Sequence, residues 1–159
     1  MAGRVVLLLL LGLAHAEVSE LCMGCLCEAN TRCDRSFQCE GGDCGLFRIS
    51  QPYWEDAGRP LIKDDDAFSD GAFKRCVLDP FCAARAVQGY MKRFSKDCNG
   101  DQQIDCEDYA LLHYQGAGCE GDPDEDYEEF RSTLNRCLAE VAKKVNASTT
   151  QRAPATTVS

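Results

Sequence analysis

Positive charge is in short supply in this chain. Its 159 residues hold 26 Asp and Glu against 17 Lys and Arg, a formal net charge of −9. That balance gives no electrostatic pull toward nucleic acid or anionic membranes, and it excludes the cationic surface of a membrane-disrupting peptide. It leaves a hydrolase open. Long apolar runs are scarce as well. One opens the sequence, with Arg4, then Val5 to Leu13, then Ala14-His15-Ala16. It is too short to cross a bilayer, and its basic start and small-residue end read as a secretory signal peptide over 1–16, cleaved before Glu17. No second run of spanning length follows, and removing Arg4 with the leader takes the rest to −10. The expected product is secreted, extracellular and monomeric, with no membrane or nucleic-acid partner.

Internal repeats are missing too, and residues 17–145 have the length of a single domain. Cysteine is plentiful, with 12 in the sequence, and half of these fall between Cys22 and Cys44. An even count in a small secreted chain reads as a disulfide framework. Cys22, Cys25 and Cys27 have no second Cys/His cluster at structural-zinc spacing to accompany them, so a zinc site is disfavoured.

Periodicity places a short helix from about Val18 through Cys27 to Arg32, with Val18, Leu21, Cys22, Cys25 and Leu26 at helical spacing. Glu40-Gly41-Gly42-Asp43 is a turn signal, and Gly45 to Ile49 has strand character. Pro52-Tyr53-Trp54 is expected to begin an irregular segment, and 57–70 an exposed loop. Phe73, Val77 and Phe81 recur about a turn apart, interrupted at Pro80. Ala83, Val87, Tyr90, Met91 and Phe94 form an apolar stripe of a following helix, which is core rather than a cofactor box. Further helices are expected from Asp105 to Tyr114 and from Asp124 to Val145, the last turning Tyr127, Phe130, Leu134, Cys137, Leu138 and Val141 inward. Residues 146–159, rich in Ser and Thr, read as a disordered tail. Asn146-Ala147-Ser148 is an N-glycosylation sequon, making Asn146 a candidate glycan site.

Several blocks together carry a family signature: the Cys-rich start, CGLFRI from Cys44, PYW from Pro52, CVLDPFCA from Cys76, VQGYMKRF from Val87 and CEDYALLHYQGAGC from Cys106. In this order they resemble the invertebrate-type lysozymes, the destabilase family, over roughly residues 18–138. The resemblance implies a small disulfide-rich, lysozyme-like domain, α+β and mostly helical. It implies cleavage of the β-1,4 bond of bacterial peptidoglycan, and in some members of chitin or isopeptide bonds. The expected partner is peptidoglycan or a chitin-like glycan, with Tyr53, Trp54 and His113 as substrate-binding residues and no required cofactor. It also implies the pairs Cys22–Cys106, Cys25–Cys137, Cys27–Cys33, Cys39–Cys44, Cys76–Cys82 and Cys98–Cys119. A further family bridge would join the positions of Ala57 and Ala86, both alanine here.

Glycoside hydrolysis usually takes two carboxyl groups, one of them a proton donor kept protonated by an apolar setting. The family's donor Glu, three residues after the third cysteine, corresponds to Asn30, with Thr31 in place of the Ser after it. Its second carboxylate lies in a loop shortened here to Glu40-Gly41-Gly42-Asp43. General acid catalysis contributes typically about 100- to 10,000-fold. Glu28, Glu40 and Asp43 are the substitute candidates, with Glu28 expected on a different face of the helix from Asn30. The isopeptidase set keeps only His113, without a nucleophile beside it. The chain is therefore read either as a lysozyme-type hydrolase with substitute acids or as an inactive glycan- or partner-binding homologue.

One segment belongs to neither chemistry. Asp97, Asn99, Asp101, Asp105 and Asp108 fall at spacing resembling an EF-hand calcium loop. Gln102 replaces its glycine, Asp108 its glutamate, and Cys98 and Cys106 lie within it. A disulfide-pinned polar turn is the alternative.

Overall fold

The computed structural model describes residues 17–121 and 124–151. The expected signal peptide lies outside the described residues, as does the end of the expected tail. The elements in order are α1 Glu20–Thr31, β1 Cys39–Glu40, β2 Asp43–Cys44, α2 Gln51–Asp56, α3 Ala72–Leu78, α4 Pro80–Phe94, α5 Cys106–Gln115 and α6 Glu125–Gln151.

Local chemistry explains most boundaries. The Ser19 side chain accepts from the Cys22 amide to start α1, and Arg32 ends it in the left-handed region. Asp79 caps α4 the same way through the Cys82 amide, with Pro80 in the first turn where its missing N–H costs nothing. The two strands form an antiparallel hairpin, Cys39 opposite Cys44 and Glu40 opposite Asp43. Gly41 and Gly42 at its tip both take positive φ, as a tight two-residue hairpin turn requires.

Several sequence expectations are corrected. Gly45 to Ile49 is a turn rather than a strand: Arg48 N–H donates to the Gly45 carbonyl, and Ile49 makes an isolated bridge with Cys44. Leu46, Phe47 and Ile49 are apolar because that turn is buried. A Cβ on Gly45 would lie 1.9 Å from the Val77 carbonyl, so the close approach to α3 itself demands glycine. Pro52-Tyr53-Trp54 is helical, since Ser50 caps α2 and proline is tolerated in the first turn. Phe81 is 76 % exposed and Leu21 52 % exposed, so neither joins the stripe its spacing suggested. The chain was expected to lose order from Asn146, yet α6 continues to Gln151.

The core lies between α1 and α6 on one side and α2 to α5 on the other. Leu26, Val77, Val87, Met91, Leu112 and Leu134 are fully buried. All twelve cysteines are paired, in the pattern implied by the family resemblance. Cys22–Cys106 and Cys25–Cys137 tether α1 to α5 and α6, the latter across 112 residues. A bridge typically stabilises by roughly 2–4 kcal/mol, more for longer loops. Ala57, where the resemblance implies a further cysteine in other members, sits against α4: a Cβ on Gly89 would be 2.5 Å from its carbonyl.

Candidate functional site

A cleft of about 1000 Å³ opens between the end of α1, the hairpin, α2, the end of α5 and the start of α6. Glu28, Asn30, Glu40, Asp43, Tyr53 and His113 all line it. Glu28, expected on a different face of the helix from Asn30, still lines the cleft with it. Residues 28 to 32 all line the cleft in succession, so the cleft wraps the free end of α1 and takes in both faces. Trp54 is corrected. It is buried against Phe73 and donates its indole N–H to the Pro60 carbonyl at 2.8 Å, which makes it a core residue away from the cleft.

Asn30 and Thr31, expected at the family's donor position, are turned back into the protein. Asn30 Nδ2 donates to the Leu26 carbonyl at 2.8 Å, and Thr31 Oγ1 to the Leu46 carbonyl at 2.8 Å. Across the cleft, Asp43 on β2 is half-buried, and this desolvation raises its pKa, partly offset by the Arg48 charge. It is thus the cleft carboxyl biased toward its protonated form. Glu40 differs: its Oε2 lies 3.1 Å from Arg48 Nη1 in an exposed ion pair. Arg48 itself lies over the Phe37 ring, 5.4 Å from its centroid.

The back wall is aromatic. Tyr53 stacks on Tyr90 with ring centroids 3.8 Å apart. Its hydroxyl is 3.0 Å from His113 Nδ1, while His113 Nε2 is 2.8 Å from the Phe47 carbonyl. A carbonyl only accepts, so Nε2 carries the proton and Tyr53 donates to Nδ1. One edge of His113 reaches the cleft and protein encloses the rest. That burial lowers its pKa to about 4, against the opposing effect of the Phe47 carbonyl. With both nitrogens engaged, His113 orients Tyr53 and is not placed as a base. Burial raises the Tyr53 pKa well above the ordinary tyrosine value, so its hydroxyl stays protonated.

Sequence reasoning missed Tyr114, Asp56, Asp126 and Glu129, all in the lining. Tyr114 is 37 % exposed, packs its ring against Tyr127 and Phe130, and donates its hydroxyl to Asp124 at 3.1 Å. Its ring is a ready surface for a sugar. The signal was available in part, since Tyr114 falls off the buried stripe of α5 and Asp126 and Glu129 lie on the polar side of α6.

The calcium expectation is corrected by the chemistry of its loop. Asp108 is fully buried and accepts from the amides of Cys98, Asn99 and Asp105 at 2.7, 3.2 and 2.9 Å. Asp97 accepts from Gly100 and Gln102, Asp101 from Gln103, and Asp105 from Glu107 as the cap of α5. These oxygens face backbone amides of the loop and of the start of α5. Among the described residues no group of three or more His, Cys, Asp or Glu is placed to hold a metal ion. The donor set does not fit calcium.

Comparison with known proteins agrees with this architecture. The chain is 34 % identical over 117 residues to Invertebrate-type lysozyme 3 of Caenorhabditis elegans, covering 70 % of this chain and 83 % of that one. It is 35 % identical over 112 residues to a lysozyme of Magallana gigas, covering 66 % and 72 %. Among solved structures, Tapes japonica lysozyme superimposes with a TM-score of 0.55 at 30 % identity, covering 74 % of this chain and 88 % of the other. Meretrix lusoria lysozyme, in complex with Aeromonas hydrophila PliI, gives 0.53 at 33 %, covering 65 % and 80 %. With this lysozyme-like, mostly helical fold and a match to the Destabilase family model over residues 19–147, the chain belongs to the Destabilase family, among the invertebrate-type lysozymes.

Proposed function

We propose that the protein is secreted and acts as a monomer on the glycan of bacterial peptidoglycan. In this reading it cleaves the β-1,4 bond slowly, with Asp43 as proton donor and Glu28 as the second carboxyl. The observation that carries the proposal is a half-buried Asp43, raised in pKa by desolvation, lining the same cleft as Glu28. Asp43 protonates the glycosidic oxygen as the bond breaks, and the Glu28 carboxyl stabilises the positive charge developing on the sugar or activates water. Tyr53, held by His113, and Tyr114 supply sugar-binding surface. Asn30 cannot donate a proton as a carboxylic acid does, so turnover falls below that of a relative with Glu there by about 100-fold or more.

The test is release of reducing ends from purified peptidoglycan by the mature chain and by Asp43→Asn. Release by the first alone supports the assignment; equal release by both removes Asp43. The second reading, glycan binding without cleavage, is favoured by Asn30 and its bond to Leu26. It predicts retention on insoluble peptidoglycan with no reducing ends from either protein.

A further inference from the structure

The hairpin carries two carboxylates on one face, and only one of them meets a cation directly. Glu40 and Asp43 are cross-strand partners, so their side chains lie side by side. Glu40 Oε2 accepts from Arg48 Nη1 at 3.1 Å, and no ion pair joins Arg48 to Asp43 among the described residues. We propose that Glu40 is a positioning residue, which holds the Arg48 guanidinium and so keeps that cation from claiming the Asp43 carboxyl. This deepens the cleavage reading and rests on Asp43 as its proton donor.

Arg48 is placed by its backbone as well as by its side chain. It takes the left-handed region at φ 50°, and its N–H donates to the Gly45 carbonyl at 2.9 Å. The turn before it is tied from two helices, Thr31 donating to the Leu46 carbonyl and His113 to the Phe47 carbonyl, both at 2.8 Å. The guanidinium lies over Phe37, 5.4 Å from the ring centroid. A residue other than glycine persists in left-handed backbone where its surroundings over-determine it, and such positions gather at functional sites. Here that backbone brings a cation to a hairpin on which Asp43 is half-buried and Glu40 exposed. Glu40 occupies it.

The two neighbours act on Asp43 in opposite senses. A guanidinium favours the ionised carboxylate, whereas a carboxylate alongside favours the proton. Burial raises the Asp43 pKa and the Arg48 charge works against it. Removing Glu40 therefore leaves the cation to Asp43, and removing Arg48 leaves burial unopposed. Other charged or titratable groups face the cleft from the elements around it, Glu28 and Arg32 on α1, His113 and Tyr114 on α5, Asp126 and Glu129 on α6. Arg32 lies 3.9 Å from Glu129, and His113 and Tyr114 are both neutral at mildly acid pH. On α2, Asp56 is answered by Arg93 at 3.2 Å. Of these charges, that of Arg48 is the one set against the burial of Asp43.

The experiment follows the Asp43 carboxyl carbon by NMR through a pH titration of the mature protein, Glu40→Gln and Arg48→Gln. Reducing-end release from peptidoglycan is measured on the same three proteins. Asp43 should give up its proton at lower pH in Glu40→Gln and at higher pH in Arg48→Gln than in the wild type. On the alkaline side of the profile, release should fall roughly threefold in the first and rise roughly threefold in the second, the scale of one exposed charge pair. A hairpin merely loosened by substitution hydrates Asp43 and moves both titrations down together. Movement of both in one direction, or of neither, therefore overturns the inference. Opposed titrations with no release from any of the three proteins uphold the inference and remove Asp43 as the donor.

Discussion

The 97–108 loop and the cleft are both rich in carboxylates, and they use them in opposite ways. In the loop, Asp97, Asp101, Asp105 and Asp108 accept backbone amides of their own or neighbouring turns. Cys98–Cys119 and Cys22–Cys106 pin the loop from either side. In the cleft, Asp43 is partly desolvated with only the Arg48 charge acting against that, and Glu28 and Asp126 line the same space. A carboxylate that completes a turn is part of the scaffold. One left without a donor is available to a ligand. Spacing along the chain does not separate the two, because it records where an acid lies and not which amide it finds.

The comparison predicts its largest effect in the loop. Asp108→Ala leaves three amides without their buried acceptor, a loss of about 3 kcal/mol or more on charged-hydrogen-bond values. Chemical denaturation reads it directly, and a loss within experimental error would place Asp108 outside the scaffold.

His113 gives the next effect, through pH. Its folded pKa of about 4 lies below the ordinary 6.5. Below pH 6.5 the unfolded chain takes a proton that the native state refuses, so stability falls as pH drops from there toward about 4. The full shift would correspond to about 3 kcal/mol, reduced to roughly 2 because one ring edge reaches the solvated cleft. The slope should vanish in His113→Gln. Persistence of the slope in that variant would assign it to other groups. Asp65, lowered to about 2 chiefly by its hydrogen bonds from Arg75, adds a further loss only at lower pH, below its ordinary value of 3.8.

Smaller again is Tyr114→Ala, expected to weaken glycan binding by roughly fivefold, the scale of one aromatic contact, with little change in melting. Unchanged affinity would take Tyr114 out of the sugar surface. The smallest expected effect is calcium addition, which should leave the melting temperature unmoved. A calcium-dependent rise would show that the loop carboxylates can leave their amides, and the contrast would weaken.

The sequence carried more of the fold than of the site. The α4 stripe is legible because Ala83, Val87, Tyr90 and Met91 repeat at the helical period and are all buried. Phe81 breaks the pattern because Asp79-Pro80 starts a new helix and rotates it outward. Gly45 to Ile49 looks like a strand because burial, not pairing, makes it apolar. The hairpin tip was legible from two glycines, and the family signature from spaced blocks. Asn30, where the resemblance leads one to expect the donor glutamate, stands out at once. What spacing could not give is that the cleft wraps the end of α1, bringing Glu28 to the same space as Asp43, or that Trp54 turns to the core while Tyr114 turns out.

The central claim is that Asp43 and its cleft do, slowly, what Asn30 cannot. Turbidity clearing of bacterial walls by wild type, Asp43→Asn and Asn30→Glu, across acid to neutral pH, tests it most directly. The account predicts slow clearing by wild type, none by Asp43→Asn, and clearing by Asn30→Glu about 100-fold faster or more. Clearing by Asn30→Glu alone, with wild type inert at every pH, would contradict it.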